Sequence, residues 1–143
     1  MSPGPATILI VDDEPEIVNL LTEVLEMDGY NVLGTSRPEQ ALALIESTPS
    51  LKLILSDITM PNMNGVDLIR RMCLSRPELR IVFMTGEAGE VMFRKGDPVL
   101  YKPFNIATLR EIVRVTLAET RSYTPGAWAG LERRRRLAGA AHT

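Results

Sequence analysis

The chain has 143 residues and a formal net charge of −2, with 45% hydrophobic and 24% charged residues, a composition typical of one soluble globular domain. It has no apolar run near the roughly 20 residues that a membrane helix needs, its first residues do not resemble a signal peptide, and its single cysteine excludes an internal disulfide. These features predict a cytoplasmic protein without a membrane partner.

The charge is unevenly distributed along the chain. The last 22 residues contain Glu132 and four arginines and carry a net charge of +3, which leaves −5 for the rest. An acidic body argues against nucleic acid as the main partner of the domain.

Small residues, a Pro-Gly break and the arginine block predict a tail or linker over 122–143, after a domain over 1–121. Such a block is usually solvated, and a contact with nucleic acid or an acidic partner is the alternative.

Strand and helix patterns alternate from the start of the chain. The segment TILIVD (7–12) is β-branched and apolar, which is typical of a buried strand. In DEPEIVNLLTEVLEMDGY, Pro15 suits the first turn of a helix and Gly29 its C-terminal stop. YNVLGTS predicts a weaker second strand, and RPEQALALIESTP predicts a short helix ended by Pro49. The apolar residues that recur at helical spacing in the first helix are Ile17, Leu20, Leu21, Val24 and Leu25.

The second half continues the alternation. LKLILSD (51–57) is almost continuously apolar, which predicts a third strand buried on both faces. GVDLIRRMCLSRP predicts a helix with Cys73 on its apolar stripe, where a buried structural thiol is expected. LRIVFMT and PVLYK predict a fourth strand and a short fifth strand, and NIATLREIVRVTLAET predicts the last helix. The residues expected on the inner side of that helix are Ile106, Leu109, Ile112, Val113, Thr116 and Leu117.

Strands that alternate with helices predict an α/β fold with a parallel, doubly wound sheet. In the common flavodoxin-like order 2-1-3-4-5, the first and third strands are neighbours, and chemistry gathers at the carboxyl ends of the strands. The strands end at polar residues, which are Asp12 with Asp13, Asp57, Thr85 and Lys102. We therefore expect three carboxylates in one shallow pocket, with a hydroxyl and an ammonium at its rim.

Three carboxylates this close repel one another unless a cation lies among them. Carboxylate and carbonyl oxygens are ligands for a hard ion such as Mg²⁺, so Asp13 and Asp57 are candidate direct ligands, with Asp12 acting through water. A carboxylate beside Mg²⁺ and an ammonium has the environment needed to attack a phosphoryl group and form an acyl phosphate. Mg²⁺, Lys102 and the Thr85 hydroxyl are suitable groups to neutralise the charge of that transition state.

Four motifs occur in order, each at a strand end: VDDE, SDITMPNMNG, FMTG and YKPF. Together they make the chain, over about residues 6 to 120, resemble the receiver domains of two-component response regulators. The resemblance implies that Asp57 accepts a phosphoryl group from the phosphohistidine of a sensor histidine kinase or phosphotransfer protein. It also implies a set of Mg²⁺ ligands, which are Asp12, Asp13, Asp57 and the backbone carbonyl of Thr59.

The same resemblance assigns roles to the last two motifs. Thr85 would be the switch hydroxyl that moves toward the phosphoryl group, and Lys102 would pair with the phosphate across a cis Lys102–Pro103 bond. The implied protein is a signalling switch that changes its contacts with a downstream protein partner. It would not be an enzyme beyond catalysing its own phosphorylation and dephosphorylation.

The chain departs from the family pattern in two places. The aromatic residue usual three positions before the lysine is Val99 here, and Tyr101 either takes its place or the aromatic switch is absent. Only residues 86 to 97, with three glycines, separate the fourth strand from the fifth. That length predicts a shortened fourth helix of two turns at most, near the minimum for a parallel crossover.

Other interpretations of the same residues remain open. Asp12 and Asp13 taken alone are common helix caps, although capping does not explain polar residues at four strand ends. An Mg²⁺-dependent phosphohydrolase with an aspartyl-phosphate intermediate usually needs an acid two positions after the nucleophile, where Thr59 stands. A degenerate receiver used as an interaction module would not need the complete set of Asp12, Asp13, Asp57, Thr85 and Lys102. The only histidine, His142, is in the tail. The domain is either a stand-alone receiver or one module of a hybrid kinase or regulator.

Overall fold

The computed structural model of the chain describes residues 6–57, 76, 79–86 and 99–118. The helix predicted after residue 65, with Cys73, lies outside these ranges. So do Thr59, almost all of the crossover 86–97 and the tail 122–143. No helix in the described ranges combines the length and apolar character needed to cross a membrane.

The described strands form one five-stranded sheet in the order β2-β1-β3-β4-β5, and all neighbouring pairs are parallel. This confirms the predicted topology. Parallel strands bring all their carboxyl ends to one edge, which is where the candidate site forms. The strands are β1 (Thr7–Val11), β2 (Asn31–Thr35), β3 (Leu51–Asp57), β4 (Arg80–Thr85) and β5 (Val99–Tyr101).

Three helices are described, and they cover the two faces of the sheet. They are α1 (Pro15–Met27), α2 (Pro38–Ser47) and α3 (Ile106–Ala118). Residues of α1 and α3 pack in one apolar cluster, and residues of α2 pack in the other. Strand β3 contributes Ile54 to the second cluster and Leu55 to the first, so it is buried on both faces as predicted. Each such fully buried side chain stabilises the fold by roughly 1.5–3 kcal/mol.

Helix α1 begins with Pro15, whose fixed φ suits a first turn. It is followed by Gly29, whose φ of +94° is a conformation that favours glycine. The side chains of α1 that face the sheet are Val18, Leu21, Val24 and Leu25. Leu20, a member of the periodic set in the sequence, is instead exposed. It lies about 100° around the helix from Leu21 and therefore outside the buried stripe.

Helix α3 buries Leu109, Val113 and Thr116, and it half-buries Ile112 and Leu117, as predicted. The expectation that Ile106 faces inward is wrong, because this side chain is 45% exposed. Ile106 is the first residue of α3, one turn before the buried stripe begins, and solvent reaches it there. The inward stripe of α3 therefore begins at Leu109.

The side chain of Arg76 holds the connection between α2 and β3. Its guanidinium donates hydrogen bonds of 2.7–3.1 Å to four backbone carbonyls, those of Ile45, Thr48, Pro49 and Leu51. The last carbonyls of a helix have no partner within the helix, and a cation is favourable at this end. Arg76 thus ends α2 and aligns the chain for β3, whose last residue is Asp57.

Candidate functional site

Two buried aspartates lie side by side at the carboxyl edge of the sheet. The register pairs Val11 of β1 with Ser56 of β3, so the next residues along, Asp12 and Asp57, are neighbours. Asp12 is 0% exposed and Asp57 is 5% exposed. A buried carboxylate without a partner costs several kcal/mol, so this arrangement requires a cation close by.

Lys102 supplies a positive charge to both aspartates. Its Nζ lies 2.6 Å from Asp12 Oδ2 and 2.9 Å from Asp57 Oδ2. Its backbone N–H donates to the Thr85 carbonyl at 2.8 Å, which fixes the start of this loop against β4. Burial lowers the pKa of the Lys102 ammonium, but the hydrogen bonds and negative charges of Asp12 and Asp57 outweigh this effect and raise the pKa above its usual value. The side chain is therefore a fixed cation at neutral pH.

The orientation of Asp12 is set by three hydrogen bonds. Its Oδ1 accepts the backbone N–H of Glu14 at 2.9 Å, and its Oδ2 accepts Lys102 Nζ. Its own backbone N–H donates to the carbonyl of Thr35, the last residue of β2, at 3.2 Å. Two of these bonds reach the carboxylate and one reaches the backbone, so three parts of the fold meet at this one residue.

Asp13 completes a cluster of three carboxylates with Asp12 and Asp57. One oxygen from each lies within 4.8 Å of the others, and the Asp13 side chain is half-buried. Within the described residues, no hydrogen bond or ion pair joins the Asp13 carboxylate to another group. Three carboxylates and one ammonium leave a formal excess of two negative charges. The cluster therefore fits a hard divalent cation such as Mg²⁺, which carries the missing charge and prefers oxygen ligands.

Thr85 ends β4 beside this cluster. It is 2% exposed, and its carbonyl is bound by the Lys102 N–H. In the sheet register, Thr85 pairs with Tyr101 of β5. Tyr101 is exposed, whereas Val99 is half-buried and packs against the apolar core. A role of Tyr101 as the aromatic switch stays a prediction.

The fold brings Asp12, Asp13, Asp57 and Lys102 together, with Thr85 beside the Lys102 backbone. The remaining predicted group, the carbonyl of Thr59, lies outside the described residues. The Lys102–Pro103 peptide bond is cis, as the family resemblance implies. Sequence reasoning missed Thr35, whose carbonyl holds the Asp12 backbone. The sequence contains one indication of this role: Thr35 is a hydroxyl residue at the end of a strand, three positions before the helix that begins at Pro38.

Comparison with known proteins identifies the family of this chain. Residues 8–114 match the family model described as the response regulator receiver domain. The transcriptional regulatory protein CpxR of Klebsiella pneumoniae is 37% identical over 116 residues, which cover 75% of this chain and 49% of CpxR. The chain therefore spans about half the length of this relative. The response regulator receiver protein CpdR of Brucella abortus is 33% identical over 117 residues, which cover 78% of this chain and 97% of CpdR.

A solved structure agrees with this match. The response regulator protein TrrA of Thermotoga maritima, crystallised in complex with Mg²⁺ and beryllium fluoride, superposes with a TM-score of 0.68. It is 29% identical, and the alignment covers 78% of this chain and 98% of TrrA. The sheet order, the acidic cluster at its carboxyl edge and these matches lead to one conclusion: the chain belongs to the response regulator receiver domain family of two-component systems.

Proposed function

We propose that this chain is a phosphorylation-activated signalling switch that accepts a phosphoryl group on Asp57 and then changes its contacts with a downstream protein. The donor is the phosphohistidine of a sensor histidine kinase or phosphotransfer protein, and the reaction requires Mg²⁺. The protein catalyses only its own phosphorylation and dephosphorylation. Family membership supports the switch, and the geometry of the acidic pocket supports the residues assigned to it.

One observation carries the proposal, namely the bridge from Lys102 Nζ to both Asp12 and Asp57. It holds the carboxylate of Asp57 at the end of β3, at the carboxyl edge of the sheet, beside a fixed positive charge. A carboxylate in such a setting is available as a nucleophile, and the ammonium is placed to neutralise charge that develops on the incoming phosphoryl oxygens.

The chemical step transfers the phosphoryl group without an oxidant or a reductant. An Asp57 oxygen forms a bond to phosphorus while the bond from phosphorus to the donor nitrogen breaks, and the electron pair stays with the imidazole of the donor. The product is an aspartyl phosphate, a mixed anhydride. Lys102 stabilises the charge on the transferred group, and Thr85 offers a hydroxyl at the adjacent strand end.

The metal would be held by Asp12, Asp13 and Asp57, with the Thr59 carbonyl as the ligand that the family resemblance adds. Bound there, Mg²⁺ would supply positive charge to the phosphoryl oxygens. The fit rests on the three carboxylate oxygens within 4.8 Å of one another and on the excess negative charge of the pocket.

The test is covalent labelling of the full chain with acetyl phosphate and Mg²⁺, followed by intact mass spectrometry. We expect one added phosphoryl group in the wild-type protein, none in Asp57→Asn, and none when EDTA removes the metal. Asp28→Asn is the matched control, because this partly exposed carboxylate pairs with Arg110 away from the pocket and should leave labelling unchanged. An adduct of unchanged yield in Asp57→Asn would contradict the proposal.

A further inference from the structure

We infer that Thr35 is a positioning residue for the Asp12 carboxylate and thereby controls the affinity of the acidic cluster for a divalent cation. This inference rests on the proposed function. Thr35 touches neither the cluster nor the phosphoacceptor with its side chain. It acts through its own backbone carbonyl, whose direction its hydroxyl fixes.

The first step is the bond between β2 and Asp12. The ladder between β1 and β2 ends with the pair Val11 and Thr35, and the Asp12 N–H continues it by donating to the Thr35 carbonyl at 3.2 Å. Strand β2 is at the edge of the sheet, so β1 is the only strand beside it among those described. The position of the Asp12 backbone on this side therefore depends on where the end of β2 lies.

The second step is the set of contacts that fixes the end of β2. Thr35 is 5% exposed, and its Oγ1 accepts the Arg37 N–H at 3.0 Å. The same oxygen lies 3.1 Å from the Arg37 carbonyl and 3.0 Å from Gln40 Oε1, and its one hydrogen serves one of these acceptors at a time. These bonds close the turn after β2 and connect it to the first turn of α2. They thereby set the direction in which the Thr35 carbonyl points.

The third step is the transfer of any displacement from the backbone to the carboxylate. Asp12 is fully buried, and both of its carboxylate oxygens already accept hydrogen bonds, from the Glu14 N–H and from Lys102. The side chain therefore has little freedom to compensate when its backbone moves. Partners that orient a metal ligand in this way typically contribute about 10–100-fold to metal affinity.

Thr7 provides a matched control for loss of a buried hydroxyl. It lies at the amino end of β1, is 4% exposed, and its Oγ1 is 2.9 Å from Ser50 Oγ. Thr7→Val and Thr35→Val remove the same group from equally buried residues of neighbouring strands. Both keep a β-branched side chain that suits a strand. Only Thr35 is connected to Asp12.

The experiment measures Mg²⁺ binding to the full chain by isothermal titration calorimetry, together with the thermal midpoint of each variant. We expect Thr35→Val to raise the Mg²⁺ dissociation constant about 10-fold. Thr35→Ser keeps the hydroxyl and should therefore have a dissociation constant close to the wild-type value. Thr7→Val should lose comparable stability and bind Mg²⁺ normally. Equal dissociation constants in Thr35→Val and Thr7→Val, or no rescue by serine, would overturn the inference.

Two further outcomes separate this inference from the proposal on which it rests. A wild-type chain that binds no Mg²⁺ would overturn the proposed metal site and this inference together. Normal Mg²⁺ binding by Thr35→Val would overturn this inference alone. Should Thr35→Val fail to fold, Thr35→Ala and Thr7→Ala remove the same two hydroxyls without placing a second methyl group against their polar partners. Thr35→Ala should then weaken Mg²⁺ binding relative to Thr7→Ala, and equal binding by these two variants would overturn the inference.

Discussion

At the scale of single residues, Lys102 has two roles that are distinguishable by experiment. Its ammonium balances part of the charge of Asp12 and Asp57, and in the proposed reaction it neutralises the phosphoryl group. The first role opposes the binding of a second cation at the same carboxylates, because like charges repel in a partly buried pocket. The second role favours the reaction. Removing the side chain should therefore affect metal binding and phosphorylation in opposite directions.

The corresponding prediction concerns Lys102→Ala. We expect Mg²⁺ binding to be retained or tightened, and phosphorylation by acetyl phosphate to slow on the order of 100-fold, as is usual when one charge-stabilising donor is lost. Calorimetry and the rate of adduct formation measure the two quantities separately. Lys52→Ala is the control, because Lys52 is an exposed lysine near the other end of β3. A wild-type phosphorylation rate in Lys102→Ala would exclude this residue from the site.

At the scale of elements, the fit of α1 against β2 depends on a glycine. A Cβ built on Gly34 would lie 2.5 Å from Val18 Cγ1, a distance that real side chains do not tolerate. Val18 is β-branched and part of the buried stripe of α1, so its rotamer has little freedom to change. Gly34 is therefore needed for the close approach of α1 to the edge strand. Its backbone has no unusual φ.

The second prediction tests this contact. Gly34→Ala should lower the free energy of unfolding by about 1–3 kcal/mol, the usual cost of overpacking, as measured by urea denaturation. Val18→Ala makes room for the new methyl group. The double variant should therefore be more stable than the sum of the two single effects predicts, by about 0.5–3 kcal/mol. Strictly additive effects would show that the two residues do not press on each other.

The elements also show what the sequence can and cannot specify. Hydrophobic runs and turn residues located the five strands and three described helices, and parallel pairing then placed Asp12, Asp57 and Lys102 at one edge. The rotation of α1 about its axis was harder to predict, because apolar residues lie on more than one side of it. Leu20 is exposed and Val18 is buried for this reason. The bond from Asp12 to Thr35 joins backbone atoms, so its only indication in the sequence is the hydroxyl residue that closes β2.

At the scale of the whole molecule, the domain boundary stays a prediction, since the tail lies outside the described residues. Deletion of residues 123–143 should leave the thermal midpoint and Asp57 phosphorylation unchanged, because the apolar stripe of the last helix ends at Leu117 and the small residues and arginines of the tail do not continue it. Val113→Ala, which truncates a buried side chain of α3, provides the contrast and should lower the midpoint clearly. A large loss of stability in the deletion variant would place the boundary further along the chain.

The bridge made by Lys102 also has a consequence for how the protein becomes active after synthesis. It joins residues separated by 90 and by 45 positions in the chain, so no local segment forms any part of it alone. Contacts of such long range form late, after the entropy of closing large loops has been overcome. The N-terminal aspartates emerge from the ribosome well before β5 does. Under the proposed function, competence to accept a phosphoryl group therefore depends on completion of the fold as far as β5.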